Sequence, residues 1–221
     1  MHPRTRVKIC GLTREQDVDA AVAAGADAVG FVLYEKSPRH VTPQRAAELA
    51  HRLPPFVAPV LLFVNAQAQA VRAACDLIPQ ALLQFHGDET AAQCQSAAGP
   101  RPYLRAARIP LDPGASFDLL AFASEFSSAQ ALLLDAHVEG FGGAGKAFDW
   151  SRIPTNVNAH LVLSGGLTPA NVGDGIAQLR PRCKTLAVDV SSGIEAGKGL
   201  KDARLMAQFA AAVRAADAAQ S

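Results

Sequence analysis

An excess of either charge is missing from this 221-residue chain: 21 Lys and Arg stand against 20 Asp and Glu, a formal net charge of +1. The basic residues are scattered rather than clustered, so no nucleic acid or other polyanionic partner is expected. Long hydrophobic runs are absent as well. The longest, Phe56 to Val64, contains Pro59 and is far too short to cross a bilayer, so no membrane association is expected. Met1-His2-Pro3-Arg4-Thr5-Arg6 leads directly into Val7-Lys8-Ile9-Cys10 with no apolar segment of signal-peptide length. Paired cysteines are also lacking. Cys10, Cys75, Cys94 and Cys183 lie far apart, with no C-x-x-C, which removes zinc-ligand spacing and argues against a disulfide framework. The expectation is a reduced, cytoplasmic protein.

What the chain does have is apolar content, 49% of its residues, enough for a sizeable core. Short runs rich in Val, Leu and Ala alternate with Ala-rich helical stretches. Strands are expected at Val7 to Cys10, Ala28 to Leu33, Val57 to Val64, Ala81 to Phe85, Tyr103 to Ala107, Ala131 to Asp135, Leu161 to Ser164 and Leu186 to Val190. Helices are expected at Arg14 to Ala24 (N-cap Thr13, stop Gly25) and Pro43 to Arg52 (N-cap Thr42). More follow at about Ala66 to Leu77, after Asp88, around Phe117 to Phe126, at Pro169 to Leu179 and at Asp202 to Ala216. Strands apolar on both faces suit a parallel sheet covered by helices. Eight such units with no linker predict one domain over residues 1–221, a compact single-domain α/β protein of the (βα)8 TIM-barrel class. A doubly wound open sheet would call for Gly-x-Gly-x-x-Gly after the first strand, and Cys10-Gly11-Leu12-Thr13 does not supply it.

In such barrels the active site lies at the C-terminal ends of the strands. Those ends carry Cys10, Asn65, Gln84, His86, Arg105, Asp135, Ser164 and Asp189, a polar ring too complete for solvated edges alone. Glycine turns follow the last two strands: Ser164-Gly165-Gly166-Leu167-Thr168, directly before a helix, and Ser191-Ser192-Gly193-Ile194-Glu195. These are the recurrent phosphate positions of the fold, where backbone N–H groups and a helix N-terminus favour an anion. Gly165, Gly166, Ser191, Ser192 and Gly193 are therefore expected to hold a phosphorylated small molecule.

Six motifs in this order make the chain similar to the phosphoribosylanthranilate isomerases. They are Lys8-Ile9-Cys10-Gly11-Leu12-Thr13; Ser37-Pro38-Arg39; Leu83-Gln84-Phe85-His86-Gly87; Leu134-Asp135 with Gly142 to Trp150; Leu163 to Leu167; and Asp189 to Glu195. Ala144, Ala147 and Lys198 depart from that pattern, in loops. The resemblance implies an Amadori rearrangement in tryptophan biosynthesis, by general acid–base catalysis and with no metal or organic cofactor. It gives Asp135 the part of acid and Cys10 that of base. Arg39 would grip the anthranilate carboxylate, since a guanidinium fork matches a carboxylate. Lys8 and Asp189 would contact substrate, Asp189 at a sugar hydroxyl, with Gln84 and His86 lining the pocket. Cys75, Cys94 and Cys183 are expected to be structural, and Trp150 to pack on the barrel wall. A monomer or homodimer is expected. The aminoaldose isomerase of histidine biosynthesis uses two aspartates, so Cys10 argues against it. Indole-glycerol-phosphate synthase needs more than Lys8, and a non-catalytic phosphosugar-binding protein would not need both Cys10 and Asp135.

Overall fold

A computed structural model describes residues 4–112, 114–137 and 147–219. Eight parallel strands close into a barrel in chain order. They are β1 (Arg6–Cys10), β2 (Ala28–Val32), β3 (Ala58–Phe63), β4 (Leu82–Phe85), β5 (Tyr103–Pro110), β6 (Ala131–His137), β7 (His160–Leu163) and β8 (Thr185–Val190). β8 pairs with β1, Lys8 opposite Asp189, which completes the closure. The outer helices are α1 (Glu15–Ala24), α2 (Pro43–Ala50), α3 (Ala68–Leu77), α4 (Ala91–Ala98), α5 (Leu119–Glu125), α6 (Val172–Leu179) and α7 (Ala203–Ala218). No helix among the described residues is long and apolar enough to cross a membrane.

Strand period sorts the side chains into two layers. Leu104, Ala106, Ala131, Leu133 and Val162 point inward and fill the lower barrel. Ile9, Phe31, Leu61, Phe85, Leu134, Leu163 and Val188 point outward and are buried beneath the helices. That outer layer is the larger core, which is why the strands read as apolar on both faces.

Helix ends follow local chemistry. Thr42 accepts from Arg45 N ahead of Pro43, Thr90 and Gln93 form a capping box, and Asp202 accepts from Arg204 N and Leu205 N. Gly25 ends α1 in the left-handed region at φ 92°, as expected. Thr13 is not the cap of α1, however. Arg14 occupies that position without a side-chain cap, and its guanidinium grips Asp17 instead.

Two other expectations are corrected, at the end of β5 and at the start of α6. β5 runs to Pro110, not Ala107, because Arg108 continues the ladder opposite Asp135. Between β6 and β7 the described residues contain only a 3₁₀ turn, Trp150–Arg152. α6 starts at Val172, so the glycine turn after β7 does not run straight into it. Asn171 bridges the gap, its Oδ1 accepting from Thr168 N and its Nδ2 donating to Gly166 O. Trp150 is buried, its ring edge beside the Gly175 backbone of α6. Cys75 and Cys94 are buried in α3 and α4.

Candidate active site

Inward parity places Lys8 and Cys10 of β1, Gln84 and His86 at the end of β4, Asp135 of β6, Ser164 after β7 and Asp189 of β8 around one barrel mouth. All are buried. Lys8 Nζ lies 2.8 Å from Asp189 Oδ1, and Ser164 Oγ donates to Asp189 Oδ2 at 3.3 Å. Burial works against the Lys8 ammonium, yet Asp189 and the neighbouring Cys10 outweigh it and raise its pKa above the usual lysine value. Burial pushes the Cys10 thiol up, while Lys8 and Lys201 pull the other way.

Space beside the thiol depends on Gly30. A Cβ there would stand 2.6 Å from Cys10 Sγ and 3.1 Å from Lys8 Nζ, so no other residue leaves both groups in place. Across the mouth, His86 Nε2 is 2.9 Å from Asp135 Oδ2, and Gln84 Nε2 is 2.9 Å from His86 Nδ1. An amide nitrogen only donates, so Nδ1 accepts and Nε2–H donates to the carboxylate. Asp135 Oδ1 accepts from Ala136 N at 2.9 Å.

Two residues of the expected polar ring do other work. Arg105 faces outward, donating to Phe85 O, Gly87 O and Glu89 and lying over the rings of Phe126 and Phe122. Asn65 caps β3 in the left-handed region at φ 53°, where its Oδ1 accepts from Asp88 N. Together they brace the loop that carries His86. The inward position at the end of β5 falls to Arg108, which ion-pairs with Asp88.

The two glycine turns touch. A Cβ on Gly193 would sit 1.8 Å from Leu167 O, so only glycine allows this approach of backbone to backbone. Gly165 and Gly166 are both left-handed, at φ 76° and 66°, and Gly193 lies in the 3₁₀ turn Ser192–Ile194. Successive N–H groups in such turns form an anion-binding concavity.

Arg39 is buried over Gly11, and its fork is closed on Glu195, Nε to Oε1 at 2.7 Å and Nη2 to Oε2 at 2.8 Å. The Nη1–Nη2 edge is the one left to face a ligand. Glu195 begins a short hairpin, β9 (Glu195–Gly197) with β10 (Leu200–Lys201). Burial opposes its charge, but Arg39 and Lys201 hold its carboxyl below the usual range. Neither Glu195 nor Lys201 was expected at the site. The residues 142–146 of the glycine loop after β6 lie outside the described residues.

A closed parallel barrel with its polar side chains gathered at the C-terminal mouth belongs to the class of (βα)8-barrel enzymes acting on small molecules. Residues 7–212 match the family model described as N-(5'phosphoribosyl)anthranilate (PRA) isomerase, and the chain belongs to that family. It is 65% identical over 215 residues to an N-(5'-phosphoribosyl)anthranilate isomerase of Leptothrix cholodnii, covering 97% of this chain and 93% of that one. The phosphoribosyl anthranilate isomerase structure from Thermotoga maritima superposes with a TM-score of 0.83 at 37% identity, covering 96% of this chain and 99% of that one. A phosphoribosyl anthranilate isomerase solved in complex with reduced 1-(o-carboxyphenylamino)-1-deoxyribulose 5-phosphate gives a TM-score of 0.78 at 34% identity, with coverage of 96% and 99%.

Proposed function

We propose that the chain converts N-(5-phosphoribosyl)anthranilate to 1-(2-carboxyphenylamino)-1-deoxyribulose 5-phosphate, an Amadori rearrangement in tryptophan biosynthesis. The observation that carries this reading is the family match over nearly the whole barrel. Its chemistry is supported by a thiol on β1 and a carboxylate on β6 that share inward parity at one mouth.

Asp135 gives a proton to the furanose ring oxygen. The C1–O bond breaks, the anilino nitrogen supplies the electron pair, and an open-chain Schiff base forms. Cys10 as thiolate then removes the C2 proton. The electrons pass to the iminium nitrogen, and the resulting enolamine tautomerises to the aminoketose. Atoms and electrons balance without a cofactor. Lys8 favours the thiolate, Asp189 meets a sugar hydroxyl, and His86 with Gln84 orients Asp135. Arg39 takes the anthranilate carboxylate on its Nη1–Nη2 edge, and the backbone of Gly165, Gly166, Ser191, Ser192 and Gly193 holds the phosphate.

Every one of these groups comes from a single chain, so a monomer or a homodimer is competent. Residues 1–221 act as one catalytic domain, in the cytoplasm. The test is to generate phosphoribosylanthranilate enzymatically, add the purified protein, and follow loss of its fluorescence together with the mass and retention of the product. Unchanged fluorescence at micromolar protein would end this reading.

A further inference from the structure

Lys201 precedes α7 in the chain and looks like a solvated flank, but it is buried. Its ammonium reaches three acceptors: Ser191 O at 2.9 Å, Ser191 Oγ at 3.1 Å and Glu195 Oε1 at 2.8 Å. The Glu195 carboxylate and two further oxygens around the nitrogen favour the charged –NH3⁺ form, against a burial that lowers its pKa below the usual lysine value. Glu195 is thus shared between Lys201 and the fork of Arg39. Two cations face one carboxylate, and one positive charge is left over. Neighbouring charges do not cancel it: Lys8 is paired with Asp189, and Arg14 with Asp17.

We infer that Lys201 is a specificity-determining positioning residue: by sharing Glu195 it keeps Arg39 from being neutralised and so available to the carboxylate of the substrate. Without Lys201, Arg39 and Glu195 form a closed, neutral, bidentate pair that offers little to an incoming anion. The same lysine fixes Ser191 at the start of the second glycine turn, so its charge is placed where the carboxylate grip and the phosphate turn meet. Lys201 acts through Arg39 and need not touch the substrate. This inference rests on the proposed reaction, which supplies the carboxylate.

The experiment compares kinetics on N-(5-phosphoribosyl)anthranilate with those on the corresponding phosphoribosylated aniline, which keeps the phosphate and lacks the carboxylate. Lys201→Met should raise KM for the carboxylated substrate by roughly tenfold or more, the range of a charge-assisted hydrogen bond. Its kcat should stay within about threefold, and the aniline should be little affected. The double variant Lys201→Met with Glu195→Gln should recover most of the lost affinity, because Arg39 again carries an unopposed charge. Equal losses on both substrates would show that Lys201 only shapes the phosphate turn and would overturn the inference. So would a double variant that discriminates worse than the single. Should Lys201→Met not fold, Lys201→Gln, which can still hydrogen-bond Ser191 and Glu195 but carries no charge, carries the test alone: it must lose the preference for the carboxylated substrate while its kinetics on the aniline stay near wild type. A wild-type protein inactive on the anthranilate would instead defeat the proposed reaction, a result separate from all of these.

Discussion

His86 Nε2 donates to Asp135 Oδ2 at 2.9 Å while its Nδ1 accepts from Gln84, so an imidazole fixed from behind orients the carboxylate at the end of β6. Orientation of the acid should show in turnover more than in binding. His86→Ala should lower kcat by roughly one to two orders of magnitude with KM within about threefold. Steady-state kinetics decide it, and a raised KM at unchanged kcat would make His86 a binding group instead.

The pH profile should carry the signature of a buried thiol. Burial pushes Cys10 above its ordinary value of 9.0, so at neutral pH the thiolate is the minor form. The reaction needs Cys10 ionised and Asp135 protonated at once, so kcat/KM should trace a bell whose falling alkaline limb is set by Cys10 and lies above about pH 9. Lys8 favours the thiolate, so Lys8→Met should move that limb further toward alkaline pH. An alkaline limb that already falls near pH 7 in both proteins would place a different group in the role of base.

Gly30 should be indispensable although it makes no hydrogen bond with a side chain of the site. Gly30→Ala puts a methyl 2.6 Å from Cys10 Sγ, which must turn away. The expected result is a loss of kcat of at least roughly tenfold, with thermal stability lowered by about 1–3 kcal/mol of overpacking. Full activity would mean that the thiol's position is not critical.

Gly193→Ala tests the phosphate grip. Its Cβ would meet Leu167 O at 1.8 Å, so one of the two turns must move. Competitive inhibition by inorganic phosphate should weaken, and KM should rise more than kcat falls. Unaltered phosphate inhibition would remove these turns from the anion site.

Asp217 ties the chain ends together, accepting from Thr5 N and Thr5 Oγ1 and pairing with buried Arg180. Burial raises its pKa, but Thr5 and Arg180 outweigh that and hold it below the ordinary 3.8. A depressed carboxylate contributes stability above its unfolded pKa and loses it as pH falls through the folded one. Asp217→Asn should thus destabilise by on the order of 3 kcal/mol at neutral pH, leaving Arg180 unpaired. The gap from wild type, measured by denaturant melts, should narrow below about pH 4. A constant gap across pH would exclude the charge as its source.

Much of this architecture was legible because parallel strands buried on both faces stand out as short apolar runs between helices. The end of β5 was not. Arg108 reads as a stop, yet it continues the strand because its long side chain reaches Asp88 at the mouth. Arg105 misled for the opposite reason: strand parity, not polarity, decides which layer a side chain enters, and Arg105 falls on the helix side. The ring of Cys10, His86, Asp135 and Asp189 follows from strand ends alone. Glu195 and Lys201 do not, because strands of three and two residues show no alternation to read. Gly197 and left-handed Gly199 were the available hint of a turn there. Gly30 carried a signal too, since a glycine inside a strand marks a close approach.

The most direct test of the account is single-turnover conversion of N-(5-phosphoribosyl)anthranilate by Cys10→Ser and by Asp135→Asn, each checked for folding and for binding of the reduced product analogue. The serine hydroxyl ionises far less readily than the thiol, and the amide has no acid proton to give. Both variants should bind the analogue and fold normally while losing at least roughly 100-fold in the chemical step. Near-normal turnover by either variant, with folding and analogue binding intact, would contradict the division of proton transfers between Cys10 and Asp135.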